Sequence, residues 1–203
     1  MRYSSCVSED YLARLTMSRP AQYLSYSEGN IGPSPTPPSP TTSAPHAQSI
    51  EDAQAMILDE LYDTLGGSMW RNQNGWNITD ASICSRYGVV CDADGGGGVT
   101  KINLKANNLK GELPPSIFNL ASLNELNFHQ NPSLYITEES VANIGAATEL
   151  THLIVAEIGS LYVDGLVDSE KLSYLDISKN NIGGNMPKSL FNLSDLKVSF
   201  DAR

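Results

Sequence analysis

A segment of the chain occurs twice, 73 residues apart, with the same residue types in the same order. Residues 109–123 read LKGELPPSIFNLASL, and residues 182–196 read IGGNMPKSLFNLSDL. Apolar, glycine, proline and asparagine positions stay in phase, which is typical of a repeat protein. Units can be started at five apolar residues: Val99, Leu123, Leu150, Leu172 and Leu196. The steps of 24, 27, 22 and 24 residues between them predict a solenoid built from stacked units.

Each unit opens with three apolar residues in the spacing apolar-x-x-apolar-x-apolar. The triplets are Val99/Ile102/Leu104, Leu123/Leu126/Phe128, Leu150/Leu153/Val155 and Leu172/Leu175/Ile177. Their last two positions alternate with polar residues, which predicts a strand with one buried face. Asparagine follows three residues later at Asn107, Asn131 and Asn180. We expect these amides to be buried and to satisfy backbone groups where the chain leaves the strand.

This pattern resembles the leucine-rich repeat. The Gly-x-apolar-Pro sequences at 111–114 and 184–187 resemble its plant-type subclass, as in receptor-like kinase ectodomains and polygalacturonase-inhibiting proteins. The resemblance covers roughly residues 55–198. It implies an α/β fold, namely a solenoid with a parallel concave β-sheet and an N-terminal cap of a helix and a hairpin. An amphipathic helical protein with chance similarity is the alternative.

The second and third units depart from this pattern. The second carries an insertion after Asn131, and the third has Ile158 where asparagine is expected and lacks the Gly-x-apolar-Pro sequence. We therefore expect both units to form irregular coils on the convex side.

Three segments are expected along the chain. Residues 1–48 form a disordered arm, because six prolines between Pro33 and Pro45 indicate a spacer without a core. Residues 49–98 form the cap: Ser49 begins a capping box, helical spacing of apolar residues follows, and a Gly-Gly pair ends the helix. Residues 99–203 form the repeats, with a partial unit from Leu196.

Two of the three cysteines lie in a segment that looks like the N-terminal cap of plant-type leucine-rich-repeat proteins. Trp70 and Trp76 precede Cys84-Ser-Arg-Tyr-Gly-Val-Val-Cys91, and a glycine-rich turn leads to the first repeat. The resemblance implies a disulfide between Cys84 and Cys91, with two buried free thiols as the alternative. Tyr87 stands where the family usually has tryptophan.

The signals for cellular location conflict. Two N-x-S/T sequences predict glycosylation at Asn77 and Asn192 and agree with a secretory setting. Residues 1–30, however, contain no apolar run long enough for a signal peptide. No stretch of about 20 apolar residues predicts direct membrane insertion. We expect an extracellular or cell-surface protein whose gene model is incomplete or unusual.

Charge and motifs exclude several functions. The chain has 23 acidic and 13 basic residues, a net charge of −10, which argues against nucleic acid and anionic membranes as partners. It contains no nucleophile elbow, phosphate-binding loop or zinc-protease motif. We therefore expect no enzymatic activity, no cofactor and no metal.

The strand positions that point away from the core are expected to line the concave face. The candidate binding residues there are Lys101, Asn103, Lys105, Glu125, Asn127, His129, His152, Ile154, Tyr174, Asp176 and Ser178. Their mixed polar and apolar character favours a protein or peptide partner. The resemblance implies the ectodomain of a receptor-like protein. The alternatives are a structural scaffold or gene fragment without a ligand, and an inhibitor of a wall-degrading enzyme.

The last unit is incomplete. Counting from Leu196, the spacing places Ser199 and Asp201 at the two inner strand positions. Terminal repeats need a cover for their apolar side. We therefore expect an open end at the fourth unit, near Leu175 and Ile177, and self-association or fraying from residue 172.

Overall fold

The computed structural model describes residues 45–78, 82–93, 98–164, 166, 171–183, 185, 188 and 196–199. All of them belong to one folding unit, residues 42–203. The arm predicted to be disordered, residues 1–48, lies almost wholly outside the described residues, as does Asn192.

Helix α1 (Pro45–Thr64) forms the first element of the cap. The predicted start at Ser49 is wrong, because the helix begins four residues earlier, at Pro45. Proline is well suited to the first turn, where its missing N–H has no partner to lose. Leu58 and Leu61 in the helix, and Leu65 directly after it, are fully buried, so one side of the helix packs against the core.

Six strands form the principal sheet. They are β1 (Val89–Cys91), β2 (Val99–Asn103), β4 (Glu125–Asn127), β6 (His152–Ile154), β8 (Tyr174–Asp176) and β10 (Lys197–Ser199), in that spatial order. β1 pairs antiparallel with β2, and every later pair is parallel. This confirms the predicted concave sheet with a hairpin at its N-terminal edge.

The strand register confirms the predicted core columns. Ile102, Leu126, Leu153 and Leu175 are aligned across the parallel strands. Two residues further along the chain in each unit, a second set is fully buried: Leu104, Phe128, Val155 and Ile177. Alternation with a period of two therefore sets which side of every strand faces the core.

The register of the last strand corrects one prediction. Val198, and not Ser199, is the partner of Leu175, so the final step is 23 residues (175 to 198). A β-branched apolar residue fits the inner position, whereas Ser199 there would bury a hydroxyl. Leu175 and Ile177 are fully buried and are not the open end that the spacing predicted. Self-association stays a prediction.

A second parallel sheet lies after the principal strands. It contains β3 (Lys110–Glu112), β5 (Ser133–Ile136), β7 (Ser160–Tyr162) and β9 (Ile182–Gly183). The predicted irregular coils of the second and third units are therefore wrong, since these units supply β5 and β7. Leu134 and Ile136 alternate with exposed residues and are buried, and Leu161 is buried in β7. This short period-two pattern is what places the two segments in a sheet.

Short helices complete the described units. Helix α2 (Glu138–Val141) follows β5, and 3-10 helices span Gly67–Met69, Ile83–Ser85, Pro115–Asn119 and Ile144–Ala146. Thr137 caps α2: its side chain accepts a hydrogen bond from the N–H of Ser140. None of the helices formed by the described residues has the length and apolar character needed to cross a bilayer.

The cap is held by a disulfide and by the contacts of Arg86, which lies in the loop between the two cysteines. Cys84 and Cys91 are bonded, with their Cα atoms 5.6 Å apart, which confirms the pairing and rules out the free thiols. Arg86, inside the loop that this bond closes, is 6% exposed and pairs with Asp59 of α1 at 2.8 Å. Its guanidinium lies 5.3 Å from the ring centre of Trp76. The disulfide loop is thus fixed to the helix.

Buried amides join neighbouring units, as predicted. Asn131 is fully buried, and its Oδ1 accepts from the N–H groups of Asn107 and Leu109, both at 3.0 Å. Its Nδ2 donates to the carbonyl oxygens of Leu104 at 3.0 Å and Phe128 at 2.7 Å. One side chain therefore satisfies four backbone groups, three of them in the preceding unit.

Candidate functional site

The outward-facing residues of the principal sheet form three rows, which together we call the concave face. The first row is Val90, Lys101, Glu125, His152, Tyr174 and Lys197. The second is Asn103, Asn127, Ile154, Asp176 and Ser199. The third, two residues further along each strand, is Lys105, His129, Ala156 and Ser178. The fold brings every predicted binding residue into one of these rows.

The first row contains two side-chain contacts between neighbouring strands. Lys101 Nζ lies 3.1 Å from Glu125 Oε2, and the two side chains are 49% and 25% exposed. An ion pair this accessible contributes little to stability, so both groups are available to a partner. The ring of His152 stacks on that of Tyr174, with centroids 5.7 Å apart and planes 26° apart. This pair forms the aromatic part of the row.

The second row is largely structural. In three units, the last strand residue is Asn or Asp, and its side-chain oxygen accepts from the N–H two residues later. The pairs are Asn103–Lys105 at 3.3 Å, Asn127–His129 at 3.1 Å and Asp176–Ser178 at 3.1 Å. Such bonds close local turns. Residues with positive φ follow each one: Ala106, Gln130 and Lys179. Asparagine or aspartate at this fixed place is the sequence signal for the turn.

The third row includes a histidine that joins two units. His129 Nδ1 lies 3.1 Å from the carbonyl oxygen of Ala156. A carbonyl oxygen only accepts, so Nδ1 carries the proton and donates it. Ala156 is fully buried, so it offers no accessible side chain at its position in the row. His129 therefore has a structural contact as well as a place on the concave face.

An ion pair lies beside the third row, where the strands end. Lys179 Nζ is 2.7 Å from Glu157 Oε1, and Gln130 Nε2 is 3.5 Å from Glu157 Oε2. The hydrogen bond from Lys179 holds the pKa of the Glu157 carboxyl below its usual value. Glu157 thus connects the second, third and fourth units through side chains.

Matches to known sequences are confined to part of this chain. The profile of the family described as Leucine Rich Repeat matches residues 98–120 and 171–193, in the first and fourth units. MDIS1-interacting receptor like kinase 1 of Arabidopsis thaliana is 31% identical over 126 residues, which are 61% of this chain. Receptor protein-tyrosine kinase CEPR1 of the same plant is 32% identical over 132 residues, 60% of this chain. The aligned lengths are only 12% and 13% of those kinases.

Solved structures show the same fold. The HAESA ectodomain of Arabidopsis, in complex with an N-terminally extended IDA peptide hormone, superposes with a TM-score of 0.60 at 23% identity. That match covers 75% of this chain and 26% of HAESA. The BIR2 ectodomain from Arabidopsis thaliana gives 0.58 at 21% identity, covering 71% of this chain and 76% of BIR2. The chain contains leucine-rich repeats and has the fold of plant receptor ectodomains.

A third solved structure of this fold is also a complex. The ectodomain of the Arabidopsis membrane receptor kinase GASSHO1/SCHENGEN3, in complex with Casparian strip integrity factor 2, gives a TM-score of 0.57 at 22% identity. The match covers 72% of this leucine-rich-repeat protein and 17% of that chain. Identities this low establish the fold only.

Three residues of the concave face were missed from the sequence of this leucine-rich-repeat protein. Val90 is 49% exposed and extends the first row onto the cap hairpin. Lys197 and Ser199 extend the first and second rows onto β10. Residues 89 and 90 are both valine, so the sequence contains no alternation of residue type that would have identified Val90. The other two were missed because the last strand was placed one residue out of register.

Two further predictions concern glycosylation and metal binding. Asn77 is exposed, as a glycosylated residue must be, and its modification stays a prediction. Within the described ranges, no group of three or more His, Cys, Asp or Glu side chains is arranged to hold a metal ion.

Proposed function

We propose that this protein recognises a protein or peptide partner through the concave face, without catalysis, as part of a receptor-like or cell-surface protein. The observation that carries this proposal is the first row. Six side chains of different chemistry stand side by side on six adjacent strands, and all are exposed or half-buried. They supply two lysines, a carboxylate, an imidazole, a phenol and an aliphatic group.

The size of the row fits an extended peptide. Neighbouring strands lie about 4.8 Å apart, so six strands span about 24 Å. An extended chain advances about 3.3 Å per residue, so about seven residues cover this length. A segment lying across the strands meets a new side chain every one or two residues. Such a sequence of contacts distinguishes one peptide from another.

The structural relatives support a peptide as the class of partner. Two ectodomains of the same fold are described in complex with a peptide hormone or a named factor, and the sequence relatives are receptor kinases. We extend from them the type of partner and a cell-surface location. The Cys84–Cys91 disulfide agrees with an oxidising compartment.

A matched pair of tyrosine variants tests the proposal. Peptides are selected from a displayed random library on the full 203-residue chain, and binding is then measured on Tyr174→Ala and Tyr135→Ala. Tyr174 lies in the first row, whereas Tyr135 lies on β5 of the second sheet and is 40% exposed. We expect Tyr174→Ala to weaken binding at least tenfold, as for an aromatic contact residue, and Tyr135→Ala to leave it unchanged.

The opposite result would show that the second sheet is the binding surface. If the library yields no peptide whose binding depends on Tyr174, the scaffold without a specific ligand becomes the better interpretation.

A further inference from the structure

One part of the concave face differs in charge from the rest of the protein. A depression of about 330 Å³ is lined by His152, Ser173, Tyr174 and Lys197, on and beside β6, β8 and β10. The described residues of its lining supply a cationic side chain, an imidazole and two hydroxyl groups, and none of them is a carboxylate. The whole chain, in contrast, has 23 acidic and 13 basic residues. A lining without carboxylates stands out against that excess of acidic groups.

The two carboxylates nearest along the rows already have partners. Glu125, next to His152 in the first row, pairs with Lys101 at 3.1 Å. Asp176 Oδ1 accepts from both the N–H and the hydroxyl of Ser178, at 3.1 and 2.8 Å. Among the residues that the structure describes, Lys197 is the one cationic side chain in the lining of the depression.

The polar groups of the lining are held in position. The hydroxyl of Ser173 donates to the Thr151 carbonyl oxygen at 3.2 Å. Thr151 Oγ1 lies 2.8 Å from His152 Nδ1, which leaves Nε2 as the ring nitrogen for a ligand. Stacking against Tyr174 fixes the plane of the imidazole. Groups that are held before binding lose little conformational entropy when a ligand arrives.

We propose that this depression binds the carboxylate of an aspartate or glutamate side chain of the peptide partner. Lys197 supplies the positive charge, the Tyr174 hydroxyl supplies a hydrogen bond, and the His152 ring packs beside them. The inference rests on the proposed function and adds the chemistry of one peptide residue. Hydrogen bonds to an ionised group are about twice as strong as neutral ones, so a carboxylate is preferred over the amide of the same shape.

A pair of small probes tests the depression without a known partner. N-acetyl-glutamate α-amide and N-acetyl-glutamine amide differ only in the side-chain carboxylate. Each is titrated into the full chain, and NMR shifts of the His152, Tyr174 and Lys197 amides are followed. We expect saturable shifts with the glutamate probe and binding about tenfold weaker with the glutamine probe.

A matched lysine pair supplies the control. Lys197→Gln should weaken binding of the glutamate probe about tenfold, because it removes the charge and leaves a polar side chain in its place. Lys110→Gln, an exposed substitution on β3 of the second sheet, should leave it unchanged. Equal binding of the two probes, or a Lys197→Gln variant that binds the glutamate probe as tightly as the unchanged chain, would overturn the inference.

Failure of this inference can be told apart from failure of the proposed function. A selected peptide that depends on Tyr174 but tolerates Asp→Asn and Glu→Gln exchange throughout refutes the carboxylate site alone. A peptide that binds Tyr174→Ala as tightly as the unchanged chain refutes recognition by the concave face itself.

Discussion

The junction between the first and second units differs from the junction between the second and third. At the first, fully buried Asn131 makes hydrogen bonds to Leu104, Asn107 and Leu109 of the preceding unit. At the second, the equivalent position is Ile158, which is 5% exposed and apolar. The same fold thus closes one junction with a polar side chain and the next with an aliphatic one.

At the second junction, a close contact between two backbone segments takes the place of the asparagine side chain. Gly159 N donates to the Leu134 carbonyl oxygen at 2.7 Å. A Cβ on Gly159 would lie 2.9 Å from the Pro132 oxygen and 3.0 Å from the Leu134 oxygen. His129 adds its bond to the Ala156 carbonyl on the concave side. An asparagine is therefore dispensable where a glycine lets two backbones come together and a second side chain bridges the strands.

The largest effect is expected at the amide junction. Asn131→Leu keeps the volume of the side chain but leaves two N–H groups and two carbonyl oxygens without the partner that Asn131 gives them. At about 1–3 kcal/mol for each unpaired buried group, the free energy of unfolding should fall by about 3 kcal/mol or more. Urea denaturation of the full chain measures this, with exposed Asn181→Leu as the control. A loss below about 1 kcal/mol would mean that water replaces the amide.

The glycine junction should be the next most sensitive. Gly159→Ala forces a methyl group against two carbonyl oxygens, and we expect a loss of about 2 kcal/mol. Gly183→Ala is a matched control, because its Cβ would meet only the Leu161 oxygen, at 3.9 Å. Thermal unfolding of the two variants compares them. Equal stability would show that the close approach at Gly159 does not hold the junction.

A smaller effect is expected at the junction between the third and fourth units. Asn180 Nδ2 donates to the carbonyls of Val155 and Ile177, and its Oδ1 accepts from the Ile158 N–H at 2.8 Å. Asn180 is only half-buried, so water can replace part of these bonds. Asn180→Leu should cost about 1–2 kcal/mol, less than Asn131→Leu. The reverse order in urea denaturation would refute burial as the cause.

The smallest effect concerns pH. The pKa of Glu157 is lowered in the folded chain by Lys179, so the pair stabilises the fold above the usual carboxyl range. That contribution is lost as the pH falls through the lowered pKa. Lys179→Met should raise the pKa of Glu157, as followed by its side-chain carboxyl carbon in NMR titrations. An unchanged titration curve would show that the ion pair is absent in solution.

The sequence predicted the parts of the fold that repeat in phase. Apolar triplets located the principal strands, and the cap resemblance located the disulfide, because both are local patterns of residue type. The predicted register of β10 was wrong because the count from Leu196 placed Ser199 at the first inner position, whereas Val198, one residue earlier, occupies it. Pairing against Leu175 decides between them, and that contact is made only in the folded chain.

The second sheet and the structural role of the second row were harder to predict. Segments such as Ser133–Ile136 are too short to distinguish from coil by alternation alone. The candidate residues of the concave face were found, since alternation decides which side chains point outward. Their division into turn-forming oxygens and available groups needs distances. Asn103, Asn127 and Asp176 look alike in sequence whether they bind a partner or a backbone N–H.

Two isoleucines offer a direct test of where a partner binds. Ile154 lies half-buried in the second row of the concave face, and Ile182, 38% exposed, lies in the second sheet. The full chain is labelled with ¹³C at the isoleucine δ1 methyl groups, and a peptide selected from the library is added. Recognition by the concave face predicts that the Ile154 methyl signal shifts in proportion to the bound fraction while that of Ile182 stays in place. A shift of Ile182 with Ile154 unchanged would contradict it.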